Sequence, residues 1–342
     1  MIHSEIMIKR LSDLQTCDFS KTVLMMIVIL THCANYTGGG RLAFMDIEMN
    51  AFLYGTASWF NSFNTAGFTL ISGYIFYCLR YERKHYPSFT PFVTNKVKRL
   101  VIPYIAVALL WTIPINNQFY HFTTHDIFLR FVWNNNSFSL WFLSMLFWTF
   151  VIAYIAFTEN IIRNALTTLA LFVLGIFSAK LHLPLILGTG MATEFLLYFF
   201  IGFTIRQKFK DLRPKRSLCY GLVFLIINVM TWYVWQYCLS IDNSFSEPLR
   251  RISRMSGAIW AFLLLGHLAQ NVDCNAKWFM PFQKMSFQIY LLHEPLIFVL
   301  IWHLYGRIDV MLLVALCAVV SITVSMAIAM VISQTPFRIL LG

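Results

Sequence analysis

Apolar runs of near-bilayer length, repeated along the whole chain, constrain this sequence more than any other feature. Ten can be read, at roughly 19–37, 55–79, 100–116, 138–157, 161–180, 191–206, 217–238, 254–271, 284–304 and 309–334. Each is close to the length of about 20 residues that a helix needs to cross the hydrocarbon core. With 58% hydrophobic and 12% charged residues in 342, the chain lacks the charged skin of a soluble fold. The expected fold class is an all-α polytopic membrane protein of about ten transmembrane helices. Residues 1–18 are expected to be a cytoplasmic segment, 19–335 the transmembrane domain and 336–342 a cytoplasmic tail. Residues 1–17 carry Lys9 and Arg10 but no apolar core, so the first apolar run is expected to stay as a start-transfer helix. The region around Lys180, Pro184, Gly188 and Gly190 interrupts the fifth and sixth runs.

Lys and Arg set the orientation. With the N-terminus inside, the inside segments collect most of the 26, with clusters at 80–99 and 206–216. Outside fall Arg41, Arg130, Lys180, Arg250, Arg251, Arg254 and Arg307. This asymmetry predicts an even number of crossings with both termini cytoplasmic. It also accounts for the net charge of +11 through cytoplasmic loops, so the expected partner is the lipid bilayer and not nucleic acid. Seven scattered cysteines form no CxxC and no metal-ligand spacing; they read as small buried hydrophobes, and no metal is expected. No internal repeat is visible, which weighs against an inverted-repeat transporter.

Polar residues inside apolar runs are the candidates for chemistry, because an ionisable group in hydrocarbon is expensive and marks function by default. His32 follows Lys21 across ten mostly apolar residues, which puts it about 16 Å up a helix from Lys21. A neutral imidazole there can serve as general base toward a hydroxyl; the alternative is a helix–helix hydrogen bond. Lys96 and Arg99, three apart, share a helix face and can hold the phosphates of an anionic ligand, although a basic pair at the foot of a span also arises from topology alone. The Ser72-Gly73 step allows close helix approach or a cavity lining. Gln288, Tyr290, His293 and Glu294 crowd one stretch of the ninth run, where Pro295 frees the carbonyl of residue 291 and is expected to bend the helix. His293 falls at a depth similar to that of His32. Arg250, Arg251 and Arg254 run against the positive-inside trend and can hold an anionic acceptor such as a lipid-linked sugar, or simply lipid headgroups. Glu194 can pair with them or be solvated, and His267 reads as an interhelical bond.

Taken in order, these stretches resemble the membrane acyltransferase-3 family of bacterial inner-membrane O-acyltransferases. The acid, base, ten residues and histidine are Asp18, Lys21 and His32. The phenylalanine-rich ISGY element is Ile71-Ser72-Gly73-Tyr74. The R-x-x-R motif reads Lys96-x-x-Arg99, followed by Leu100 and Pro103. LWFL is Leu140 to Leu143, and S-x-x-I-Y-L-x-H-x-P is Ser286 to Pro295. The resemblance spans about 15–335. Two positions depart from the pattern: Lys96 replaces the usual Arg, losing the bidentate fork, and Ser139 stands where many members carry His.

The resemblance implies acyl transfer from acetyl-CoA, or another acyl-CoA, to a hydroxyl of a cell-surface or lipid-linked carbohydrate, by a stand-alone member without an esterase-like domain. It assigns His32, His293 and Tyr290 to catalysis. Lys96, Arg99, Lys21 and Ser72 go to the coenzyme; Arg250, Arg254 and Glu194 stay acceptor candidates on the charge argument above. In that scheme His32 takes or relays the hydroxyl proton, Asp18 and Lys21 anchor the inner helix end, and transfer is direct, since no Ser or Cys stands out as nucleophile. The rival reading is a flippase or exporter of a lipid-linked glycan.

Overall fold

The computed structural model describes residues 13–40, 42, 44–133, 137–180, 188–209, 214–241, 245–273 and 276–342. Lys9, Arg10, Arg41, Pro184, Lys210, Arg213 and Cys274 lie outside the described residues. The described residues form helices and no β-strand, as expected where backbone groups must find their hydrogen bonds within the segment.

Helix α1 spans Asp13–Thr37. Its hydroxyls bond back onto its own carbonyls (Ser20 to Thr16, Thr22 to Asp18, Thr31 to Ile27, Thr37 to Cys33), so these polar residues sit in an apolar helix without orphaned groups. It ends at Gly38-Gly39-Gly40, where Gly39 takes a φ of +98° that other residues rarely adopt. The second expected span, 55–79, is instead two helices, α2 (Ala51–Asn61) and α3 (Asn64–Tyr77). The break has a local cause. Ser62 accepts a hydrogen bond from Asn228, and Asn64 donates to Thr31, so the polar side chains at the joint bond sideways to other helices.

The third span is longer than the expected 100–116. Helices α4 (Phe89–Lys96), α5 (Ile102–Val107) and α6 (Ile113–Tyr120) run on as one segment, Phe89–Tyr120, through π-turns at Val97–Val101 and Ala108–Thr112. Each π-turn is followed two residues later by a proline, Pro103 or Pro114. The wider turn accommodates the ring and the missing N–H without ending the helix. After a left-handed residue at His121, α7 (Thr124–Ile127) opens with a capping box, in which the Thr123 hydroxyl and N–H hold the Asp126 carboxyl below its ordinary range. The remaining helices are α8 (Trp141–Ala156), entered through a 3-10 turn at Phe138–Leu140, α9 (Ile161–Lys180), α10 (Thr189–Lys208), α11 (Pro214–Ser240), α12 (Ser246–Ala269), α13 (Met280–Leu304) and α14 (Val310–Ser333).

Among the described residues, seven helices are long and apolar enough to cross a membrane. Helix α1 sits at the centre, packed on α2, α3, α12, α13 and α14. Helices α3 and α10 cross where Gly73 faces the Phe199 carbonyl and Gly202 faces the Leu70 carbonyl, leaving no room for a Cβ on either. Helix α11 pairs with α12 and leaves Tyr220, Leu222, Ile226 and Met230 exposed, as a lipid-facing helix should.

Candidate active site

Helix α1 carries His32 against α13, which carries His293 and Glu294. The two imidazole rings are 5.2 Å apart at their centroids. Glu294 and His293 are closed off, at 1% and 0% exposure, whereas the His32 side chain keeps 23% of its surface open. Of the three, His32 is the one that keeps open surface.

Glu294 is buried without a Lys or Arg, and its oxygens are met by neutral donors. Oε1 accepts from the Tyr36 hydroxyl, one turn up α1 from His32, and Oε2 accepts from the backbone N–H of Ser139. His32 Nδ1 lies 3.9 Å from Oε1. The carboxylate therefore stands behind the imidazole, with donors on both of its oxygens to hold it there. Nδ1 is the ring nitrogen on the Glu294 side, at ion-pair but not hydrogen-bond distance. The Tyr36 ring stacks on His32 at 5.5 Å and fixes its plane.

On α13, His293 Nδ1 meets the Tyr290 carbonyl oxygen at 2.6 Å. A carbonyl only accepts, so Nδ1 carries the proton and Nε2 the lone pair. That Nε2 is buried with no partner. Tyr290 is also committed: its hydroxyl donates to the Ser139 carbonyl. Of the two expected catalytic partners, His293 adjoins His32, whereas Tyr290 adjoins His293, at 5.7 Å between ring centroids, and its hydroxyl acts on the 3-10 turn. Trp111 of the third span donates to the Leu292 carbonyl at 3.0 Å, one residue beyond the carbonyl that Pro295 frees, and α13 runs unbroken through Pro295.

Sequence reasoning noted the burial cost of Glu294 without placing it in the site. The sequence pattern singles out no role for Tyr36 and marks Ser139 only as standing in place of a histidine. Ser139 serves through its backbone N–H and C=O, which no side-chain pattern announces. Asn116 was also missed. It is fully buried on the α6 turn between Trp111 and Phe119, both of which touch α13, and neither of its amide atoms has a partner.

The residues assigned to the coenzyme are spread more widely. Lys21 bonds Asp18 at 3.2 Å, two turns into α1 and not at its start. Arg99 is exposed. Lys96 is half-buried, its ammonium 3.6 Å above the Phe150 ring and 5.5 Å from that of Phe92, and Arg99 and Lys21 are the charges acting on it. Ser72 is turned inward on its own helix, donating to the Phe68 carbonyl at 2.9 Å. The acceptor candidates do meet: Glu194 Oε1 lies 3.9 Å from Arg250, 4.0 Å from Arg251 and 3.8 Å from Arg254. No cluster of three or more metal-ligating side chains occurs among the described residues.

The family model of the acyltransferase-3 group, described as an acyltransferase domain, matches residues 16–330. The chain belongs to this family and is a multi-pass membrane acyltransferase. No curated protein and no solved structure matches it.

Proposed function

We propose that this protein is an O-acetyltransferase of the bacterial inner membrane, moving the acetyl group of acetyl-CoA onto a hydroxyl of a cell-surface or lipid-linked carbohydrate. The observation that carries the reading is the buried Glu294 behind a partly exposed His32 in a chain of this family. In the reaction, His32 Nε2 takes the hydroxyl proton as the oxygen attacks the thioester carbonyl. The C–O bond forms, the C–S bond breaks, and the proton passes to the departing thiolate. Glu294 orients the ring and stabilises the imidazolium while it exists. Lys96, Arg99 and Lys21 attract the coenzyme phosphates, with Lys96 leaving its aromatic seat to do so.

The chain crosses the membrane ten times with both termini in the cytoplasm; the ten apolar runs and the Lys and Arg asymmetry support this. Two measurements test the function together: mass spectrometry of the surface glycans of a deletion strain, and melting of the purified protein with acetyl-CoA. Loss of an acetyl increment and a raised Tm are expected. Unchanged glycans with no stabilisation by acetyl-CoA would favour a glycan exporter, which has no reason to bind the coenzyme.

A further inference from the structure

Three arginines and two carboxylates meet where α12 begins, and they do not neutralise one another. Arg250 is engaged with Glu247, donating at 2.6 and 3.2 Å to one carboxylate oxygen. Glu194, reaching over from α10, sits differently. Its Oε1 lies 3.8–4.0 Å from all three guanidiniums, which is ion-pair distance to each and hydrogen-bond distance to none. That oxygen and Arg251 Nε are both buried without a hydrogen-bond partner. Among the described residues one positive charge is left over, on side chains only 22–24% exposed. The ring of guanidiniums is wider than the carboxylate inside it. A phosphate, tetrahedral and with more acceptor oxygens, bonds several guanidiniums at once.

Beside Arg250 and Arg254 lies a cavity of about 10 Å³, near the space one water needs, walled by Ser58, Asn61, Ser62 and Trp235. Two residues beyond Ser62 the Asn64 amide donates to Thr31, the neighbour of His32 in the chain.

We propose that Arg250, Arg251 and Arg254 form a binding site for the phosphate of a phosphorylated glycan, with Glu194 as the resident counter-ion that the phosphate displaces. This deepens the acyl-transfer reading and rests on it only in calling the ligand the acceptor. The phosphate can be borne by a lipid or by a soluble sugar.

The test is a titration of the full chain in neutral detergent, with inorganic pyrophosphate in one arm and dodecyl phosphate in the other, followed by tryptophan fluorescence and by Tm. Saturation by both probes marks a soluble source, and saturation by dodecyl phosphate alone marks a lipid-borne one. In either case Glu194→Gln tightens binding and Arg254→Gln weakens it, each by about tenfold. Should Arg254→Gln not fold, Arg254→Lys keeps the charge, loses the fork and binds more weakly than the parent. His32→Ala binds as the parent does, which separates this site from the transfer chemistry. The proposal is overturned if neither probe saturates in the parent or in Glu194→Gln, or if the arginine variants titrate like the parent.

Discussion

His32 and His293 come from helices at opposite ends of the chain, and their rings lie 5.2 Å apart. One is partly open and backed by a carboxylate; the other is sealed and holds an unpaired Nε2. The remaining polar groups of the site, on Tyr36, Ser139, Tyr290 and Glu294, fix these two rings in place.

Glu294 is central to that arrangement. Glu294→Gln keeps the shape and removes the charge behind His32. Acetyl transfer is expected to fall by about 10²–10⁴-fold, with Tm little changed. Tyr36→Phe takes one donor from the carboxylate and is expected to cost about tenfold in rate. Steady-state rates with acetyl-CoA on purified protein check both. Equal rates in Glu294→Gln and the parent would remove the carboxylate from the mechanism.

Asn116 is buried with both amide atoms unsatisfied, which stabilises nothing in the protein as it stands. Asn116→Leu, of similar size, is expected to raise stability by about 1–3 kcal/mol, the usual penalty of an orphaned polar group. It is also expected to lower transfer, because Trp111 and Phe119, on either side of Asn116 in the chain, both touch α13. Thermal melts and rates measured on the same samples show whether the two move in opposite directions.

The crossing of α3 and α10 admits no added carbon. Gly73→Ala and Gly202→Ala each push a methyl into a backbone carbonyl and are expected to destabilise by about 1–3 kcal/mol. Gly55, inside α2, has nothing within 4 Å of an added Cβ. Gly55→Ala is expected to stabilise by about 0.5–1 kcal/mol, since alanine favours a helix interior. Melting curves of the three variants test the contrast.

The positions of the helices were legible because hydrocarbon permits few alternatives and apolar runs of bilayer length mark them. The ten residues between Lys21 and His32, and the matching depth of His293, were enough to expect the two imidazoles on one level. Three things were not legible, each for a physical reason. The break at Ser62–Phe63 depends on Asn228, 166 residues beyond Ser62, which the local pattern cannot report. The π-turns before Pro103 and Pro114 carry no residue signature beyond the prolines. Ser139 acts through its peptide groups, so its side chain pointed only to what was missing.

Lys96 rests on the Phe150 ring with Arg99 and Lys21 nearby. If these charges gather the coenzyme, Lys96→Ala and Arg99→Ala raise KM for acetyl-CoA by about tenfold each and leave kcat within a few-fold. Lys96→Arg, which restores the fork, is expected to lower KM below that of the parent. Initial rates across a range of acetyl-CoA concentrations separate the two constants. A change in kcat alone would place Lys96 elsewhere in the mechanism.

The central claim is that His32 carries the proton of the transfer. The direct measurement is acetylation of the carbohydrate by His32→Ala, in protein shown to reach the membrane and to melt like the parent. Loss of transfer with acetyl-CoA binding retained is the expected result. Transfer at the parent rate would contradict it.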